Sequence, residues 1–230
     1  MSEGFNRFLE RTIAKSQQCN RNWDLSKQIP EEDIKTLEQS VTQCSSKQNR
    51  VFYKVLYTQD RDKIERIHDA TNGFTYGLQK DEDDNYLTTT NPQVLANTLF
   101  VLAKDRDESM IARTAEENDF GIEDGKTQMD EDRSIGIAAG YLTLTANLLG
   151  YESGCCQCFN EAKVKDILGL DEDVFLLMGI GYGDKTRGRK EHHNDPSFIF
   201  PSFNKDIKVA RLNKLIPASV IINSSKLYFE

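Results

Sequence analysis

No run of about 18 apolar residues, the length a helix needs to cross a bilayer, occurs in the chain, so no membrane span is expected. The first residues, Met1-Ser2-Glu3-Gly4-Phe5-Asn6-Arg7, lack the apolar core of a secretory signal. The five cysteines are an odd number without the spacing of a disulfide framework. With no export signal they read as reduced thiols in a cytoplasmic protein. Positive charge is in deficit, 29 Lys+Arg against 37 Asp+Glu, a net −8. That balance argues against broad binding to nucleic acid or to an anionic membrane, both of which need clustered positive charge. There is no G-x-S-x-G elbow, no Walker loop and no G-x-G-x-x-G fingerprint. Gly179-Ile180-Gly181-Tyr182-Gly183 is glycine-rich but lacks the third glycine and the following helix, which argues against a P-loop NTPase or a Rossmann dehydrogenase. Internal repeats and low-complexity tracts are missing as well. Apolar residues are sparse at 38%, and 29% of the chain is charged. Either the surface is highly charged or the core is completed by another subunit.

What is present fits one α+β domain with a C-terminal arm. Phe5, Phe8, Leu9, Thr12 and Ile13 recur at helical spacing and predict a helix over 2–16. A polar stretch from Gln17 to Gln28 carries the single tryptophan, Trp23. Ile29-Pro30-Glu31-Glu32-Asp33 reads as a helix start, with proline and acids in the first turn and Ile34, Leu37 and Val41 facing inward. Val51–Tyr57 and Leu99–Ala103 read as strands, Asp60–Ala70 as a helix and 79–91 as a loop. Residues 104–130 are charged and contain glycine, a candidate lid or insert. Ile135–Leu149 is apolar on nearly every face, as expected of a helix buried in a core or between subunits. Gly136 and Gly140 on it permit close approach of another backbone, and Gly150 supplies a stop. A helix near Glu161–Leu168 and a strand over Val174–Ile180 follow. The stretch 196–230 holds aromatics with weak periodicity and reads as an extended arm that needs a surface to pack on.

Three clusters bear on chemistry. Cys155-Cys156-Gln157-Cys158 contains one C-x-x-C spacing, but a structural zinc needs four ligands, usually in two separated pairs, and no second pair exists. No metal is expected. The segment follows a long apolar helix instead of a strand, which also argues against a thioredoxin-like motif. Small soft residues lining a turn or pocket wall are the simpler reading. His192-His193 with Glu191 and Asp195 reads as a solvated loop. Lys185-Thr186-Arg187-Gly188-Arg189-Lys190 is the densest basic run in an acidic chain, and arginine forks match phosphate bidentately.

The order of these features resembles the nitroreductase family of FMN-dependent oxidoreductases. Family members open on a helix, continue with Arg-x-Ser-x-Arg/Lys and an aromatic two residues on, then start a helix with Ile-Pro-Glu-Glu. Here Gln17-Gln18-Cys19-Asn20-Arg21-Asn22-Trp23 precedes Ile29-Pro30-Glu31-Glu32 at matching spacing. The family's loop entering a strand is matched by Cys44-Ser45-Ser46-Lys47-Gln48-Asn49, and its Asn before a middle strand by Asn91-Pro92-Gln93. The match is strongest over 135–183: an apolar helix ending in Leu149-Gly150-Tyr151, a turn, Phe159 opening a helix, and a strand ending in Gly181-Tyr182, with a basic tail after it.

The resemblance implies an α+β three-layer sandwich, its central and mainly antiparallel sheet flanked by helices. It implies an intertwined homodimer with two FMN sites at the subunit interface. Residues 1–195 would form the FMN-binding domain, and the swapped arm 196–230 would embrace the partner. Arg21, Arg187 and Arg189, with Lys190, would hold the phosphate. Gln17 stands where the family has its first arginine, and Cys19 where it has serine. Ser45, Ser46, Gln48 and Asn49 would reach the flavin of the opposite subunit, and Asn91 and Gln93 its pyrimidine edge. Cys155, Cys156, Gln157 and Cys158 would lie along the flavin face, a backbone N–H near Gln157 or Cys158 meeting N5. NADH or NADPH would reduce the flavin, and a small electron-poor acceptor, a nitroaromatic or quinone, would reoxidise it in alternation, with no side chain acting as a general base. Two alternatives stand beside this: reductive dehalogenation or oxygen-dependent flavin fragmentation on the same fold, and a flavin-binding protein without turnover, suggested by Gln17 and Cys19.

Overall fold

The computed structural model describes residues 3–16, 18–46, 52–72, 75–80, 86–88, 90–105 and 124–186, with 75–80, 86–88 and 124–127 as backbone alone. The chain divides into one compact unit, Met1–Asn72 with Thr90–Glu191, and a second, Gly73–Thr89 with His192–Glu230.

In the first unit, helix α1 (Glu3–Ser16) and helix α2 (Glu31–Thr42) precede strand β1 (Tyr53–Thr58) and helix α3 (Arg61–Asp69). The second unit supplies the antiparallel hairpin of β2 (Thr75–Lys80) and β3 (Tyr86–Thr88). Back in the first unit, a 3-10 turn (Pro92–Val94) leads into β4 (Thr98–Lys104). Helix α4 (Asp124–Leu148), strand β5 (Glu152–Cys156), helix α5 (Glu161–Leu168) and strand β6 (Val174–Gly181) follow. The hairpin places β3 and the end of β2, Gln79 and Lys80, inside the stretch 79–91 whose acidic and Thr-rich composition reads as loop. Three residues of strand are too short for a period-2 pattern to stand out.

Local chemistry sets the helix ends. The Asp60 carboxylate caps α3 by accepting from the Lys63 N–H at 3.3 Å, and the Asn160 side chain caps α5 by accepting from Lys163 N–H at 3.1 Å. At the end of α4, Gly150 takes φ +93°. Tyr151 N–H then reaches Ala146 O at 2.8 Å and Gly150 N–H reaches Asn147 O at 3.1 Å, a Schellman ending.

The sheet has four strands in the order β1-β4-β6-β5, every neighbouring pair antiparallel. Its faces alternate as period-2 strands must. Phe100 and Leu102 of β4 with Leu176, Met178 and Ile180 of β6 pack against Ile34, Leu37 and Val41 of α2 and Ile135, Ala138, Leu142 and Ala146 of α4. On the other face Leu99, Val101, Leu177 and Cys156 meet Ile64 and Ile67 of α3 and Val164 of α5. Two helical layers thus enclose one sheet. Each fully buried Leu, Ile or Phe contributes about 1.5–3 kcal/mol through apolar area withdrawn from water.

The long helix departs from expectation at its start. It begins at Asp124, eleven residues before the apolar pattern at Ile135. Its charged first turns are held by Lys104, nearly buried at the end of β4, which pairs with Asp132 at 2.7 Å and Glu131 at 3.9 Å and lies 4.8 Å above the Phe175 ring. Of the expected lid 104–130, Lys104 therefore belongs to a strand and 124–130 to α4, while 106–123 lie outside the described residues. Of the two settings expected for its apolar surface, this chain's own core does not cover every face. Ile137, Tyr141, Leu144 and Leu148 form an exposed apolar stripe, and a Cβ at Gly136 or Gly140 would meet nothing within 4 Å. Phe5, Phe8 and Ile13 of α1 are exposed as well, while Thr12 is buried. No helix among the described residues is long and apolar enough to cross a membrane. The expected arm, 196–230, lies outside the described residues.

Candidate functional site

The polar segment after α1 is laid along the ends of β5 and β6. Asn20 N–H donates to Ser153 O at 2.8 Å, Asp24 N–H to Tyr182 O at 2.8 Å, and Asp184 N–H to Asn22 O at 3.0 Å. Trp23 anchors the segment. Its ring is buried and its Nε1–H donates to Pro92 O at 2.9 Å. Asn97 adds two bonds from Nδ2, to Asp24 O at 2.9 Å and Lys27 O at 2.8 Å.

Such close approach demands missing side chains. A Cβ on Gly154 would sit 2.5 Å from Asn20 O and 2.7 Å from Gln93 Cβ. A Cβ on Gly179 would strike the Gln93 backbone oxygen and stand 2.8 Å from Ala96 Cβ. Glycine on β5 and β6 is what lets the 92–94 turn and the 19–24 segment press against the strand ends.

This packing gathers a set of polar groups. Arg21 donates from Nη1 to Cys19 O at 3.3 Å, and its Nε is buried without a partner. Gln93, buried, donates from Nε2 to Cys155 O at 3.4 Å, while its Oε1 is also buried and unpartnered. Asn91 N–H donates to Thr71 Oγ1 at 2.7 Å. Its Nδ2 donates to Asn72 O at 3.0 Å, Cys158 O at 3.2 Å and Cys156 Sγ at 3.2 Å, which shapes the turn after β5. Gln157 and Cys158 are exposed just beyond that turn's strand. The Cys19 thiol donates to Cys155 O at 3.7 Å.

Two of the thiols, Cys155 and Cys156, are held protonated. Cys155 is pushed up, first by its hydrogen bond with the Cys19 thiol and then by desolvation. Desolvation pushes Cys156 up to about 11. Among the described residues no three His, Cys, Asp or Glu side chains group to hold a metal.

Beside Cys19 and Asn20 lies a pocket of about 140 Å³, walled also by Lys15, Gln18, Asn22, Asn147, Glu152 and Asp184. Lys15 Nζ is 3.6 Å from Glu152 Oε1 and 3.5 Å from Tyr151 O.

Cys19, Arg21, Asn91, Gln93, Cys155, Cys156 and Cys158 therefore converge at the β5 edge, with Gln157 beside them. Ser45 and Ser46 do not join them. They follow α2, where Cys44 is buried 3.0 Å from the Tyr53 hydroxyl of β1, at the opposite edge of the sheet. Gln17, Gln48, Asn49, Arg187, Arg189 and Lys190 lie outside the described residues, though the Asp184–Asn22 bond brings the chain entering the basic run beside the Arg21 segment. Sequence reasoning missed Trp23, Thr71 and Gly154 as the parts that hold the site in shape. The lone tryptophan in a polar stretch was the available signal for the first; nothing marked the others.

An antiparallel sheet between helical layers, with a polar cleft where an edge strand meets two loop segments, defines an α+β protein with a site at one sheet edge. The model of the nitroreductase family matches residues 14–182, and the chain belongs to that family. Solved structures share the fold. A nitroreductase family protein of Clostridium novyi NT is 18% identical with a TM-score of 0.58 over 77% of this chain and 86% of that one. Nitroreductase A of Vibrio parahaemolyticus is 18% identical with a TM-score of 0.59, over 97% of this chain and 92% of its own. A candidate NAD(P)H:FMN oxidoreductase of Staphylococcus epidermidis is 13% identical with a TM-score of 0.57, over 78% and 89%. No curated protein matches the chain.

Proposed function

We propose that this chain is an FMN-dependent oxidoreductase that draws hydride from NADH or NADPH and reduces a small electron-poor acceptor, a nitroaromatic or a quinone, by a ping-pong mechanism. Family membership supports flavin oxidoreduction as the class. The observation that supports a ligand at this edge is that two of the buried polar atoms without a hydrogen-bond partner, Arg21 Nε and Gln93 Oε1, lie on residues that flank β5. A buried polar atom without a partner costs about 1–3 kcal/mol, and a ligand that supplies the partner recovers that cost.

The donor set fits FMN. Arg21 brings positive charge for a phosphate, with Arg187 and Arg189 as further candidates and Lys190 beside them. The Gln93 amide suits the pyrimidine edge of the ring. Gly154 and the exposed Gln157–Cys158 turn offer backbone close to a flat ligand. Bound FMN would supply the two-electron relay between nicotinamide and acceptor. The chain's own residues orient the partners and exclude water; none is needed as a general base.

We further read the protein as a cytoplasmic homodimer. The stripe Gly136, Ile137, Gly140, Tyr141, Leu144 and Leu148 supports the dimer, because small residues at i and i+4 between exposed apolar ones suit close packing of a second copy. In such a dimer Ser45 and Ser46, remote from the β5 edge of their own chain, would serve the partner's flavin.

The test is direct. Protein supplied with FMN should be yellow, and FMN at a hundredfold excess over Kd should raise its stability by about 2.7 kcal/mol. Anaerobic NADH or NADPH should bleach it, and a nitroaromatic should restore the colour. A colourless protein whose Tm ignores FMN refutes the reading. Bound FMN that neither nicotinamide reduces points to a flavin carrier without turnover. Tyr141→Glu should shift sedimentation from dimer to monomer; a monomeric parent refutes the dimer.

A further inference from the structure

Cys19 and Cys155 are 136 residues apart in sequence, yet the Cys19 thiol donates to the Cys155 carbonyl at 3.7 Å, which sets its sulfur against residue 155. The Cys19–Ser153 bridge and the Asn20–Ser153 hydrogen bond at 2.8 Å hold the two backbones side by side. Cys155 is exposed and Cys19 half-buried, so an outside reagent reaches the first and the second waits behind it. Arg21 follows Cys19 by two residues and Gln93 holds the Cys155 carbonyl, so any covalent change here acts on the groups that flank the candidate site.

We propose that Cys19 and Cys155 form a reversible disulfide that clamps the 19–24 segment to β5 and weakens cofactor binding. The last part rests on the FMN reading above. The oxidant is a low-molecular-weight disulfide such as oxidised glutathione. The Cys155 thiolate attacks one of its sulfurs, forming a mixed disulfide and expelling one small thiolate. The Cys19 thiolate then attacks the Cys155 sulfur and expels the second. The two protein sulfurs lose two electrons, the small disulfide gains them, and the two cysteine protons end on the two released thiols. Closure draws the sulfurs to about 2.05 Å and removes the Cys19 S–H as a donor. Because the Cys155 thiol is held protonated, closure is slow at neutral pH and accelerates as pH rises.

The experiment incubates the full chain with excess oxidised glutathione, alkylates remaining thiols and maps the peptides. The expected product is one cross-linked peptide joining Cys19 to Cys155, absent in Cys19→Ser and in Cys155→Ser, and reopened by dithiothreitol. FMN titration of the oxidised and reduced forms should show Kd raised about two- to tenfold by oxidation, the worth of one neutral hydrogen bond. Glutathione persisting on Cys155, or a link from Cys155 to Cys156 or Cys158 with Cys19 still alkylated, overturns the couple. A Cys19–Cys155 link that leaves FMN affinity unchanged overturns its effect on binding. If neither form binds FMN, the cofactor reading fails, while the peptide map still decides the disulfide.

Discussion

In the middle of the sheet, β4 and β6 present Phe100, Leu102, Met178 and Ile180 to one helical layer and Leu99, Val101 and Leu177 to the other, all with almost no exposure. At the β5 edge the same sheet runs Gly154, Cys155, Cys156 beside Asn20, Arg21 and Gln93. The first region is held by apolar area, so its energy is large and its chemistry plain. The second is held by backbone hydrogen bonds and absent side chains, and it keeps buried polar atoms unpartnered. Apolar burial is concentrated in one place and the candidate ligand-binding groups in the other.

That contrast can be broken most forcefully at Phe100. Phe100→Ala should cost about 3–5 kcal/mol by transfer and cavity terms, lowering Tm by roughly 10 °C or more in thermal denaturation. FMN affinity of the folded remainder should stay near that of the parent. Gly154→Val should cost less, about 2–3 kcal/mol, because an edge segment can shift where the core cannot. It should nevertheless displace Asn20 and Gln93 and so remove FMN binding in a titration, the reverse of the Phe100 pattern. Arg21→Ala should leave the Tm of the flavin-free protein almost unmoved and weaken FMN about 10- to 100-fold, since a charge-assisted hydrogen bond is worth about 1.5–3 kcal/mol. Equal loss of Tm and affinity in all three variants would erase the distinction between the regions.

The smallest effect concerns pH. Burial lowers the pKa of His68 on α3 below its usual 6.5. The unfolded chain therefore takes up this proton first as pH falls. The stabilisation is fully present above about pH 6.5 and is lost as pH drops through the lower folded value. Urea unfolding at pH 7 and pH 5 should show a pH-dependent loss that His68→Gln diminishes; an identical loss in the variant would remove His68 from the account.

Much of the fold was legible. Pro30 and the acids after it, with Ile34, Leu37 and Val41, mark α2 and its inner face, and the structure buries all three. The β-branched and apolar runs mark β1, β4 and β6 near their observed bounds. The C-x-x-C segment reads as small residues lining a turn or pocket wall; the structure puts Cys155 and Cys156 at the end of β5 and Gln157 and Cys158 in the turn after it, with Gly154 admitting Gln93 and Asn20. The candidate site was legible only as scattered pieces: Cys19 with Arg21, Asn91 with Gln93, and Cys155 to Cys158 came from the order of three short motifs, and no local pattern joins one motif to another.

What the sequence determined by itself is the alternation that builds the sheet and the helix faces, because hydrophobic periodicity, caps and glycine stops act over a few neighbouring residues. The tertiary structure alone decided that an apolar stripe of α4 stays exposed, that Lys104 pairs with Glu131 and Asp132 of that helix, and that the Cys19 thiol meets the Cys155 carbonyl. Those outcomes depend on surfaces brought together from segments distant in the chain, where no local propensity reaches and packing geometry sets the contacts.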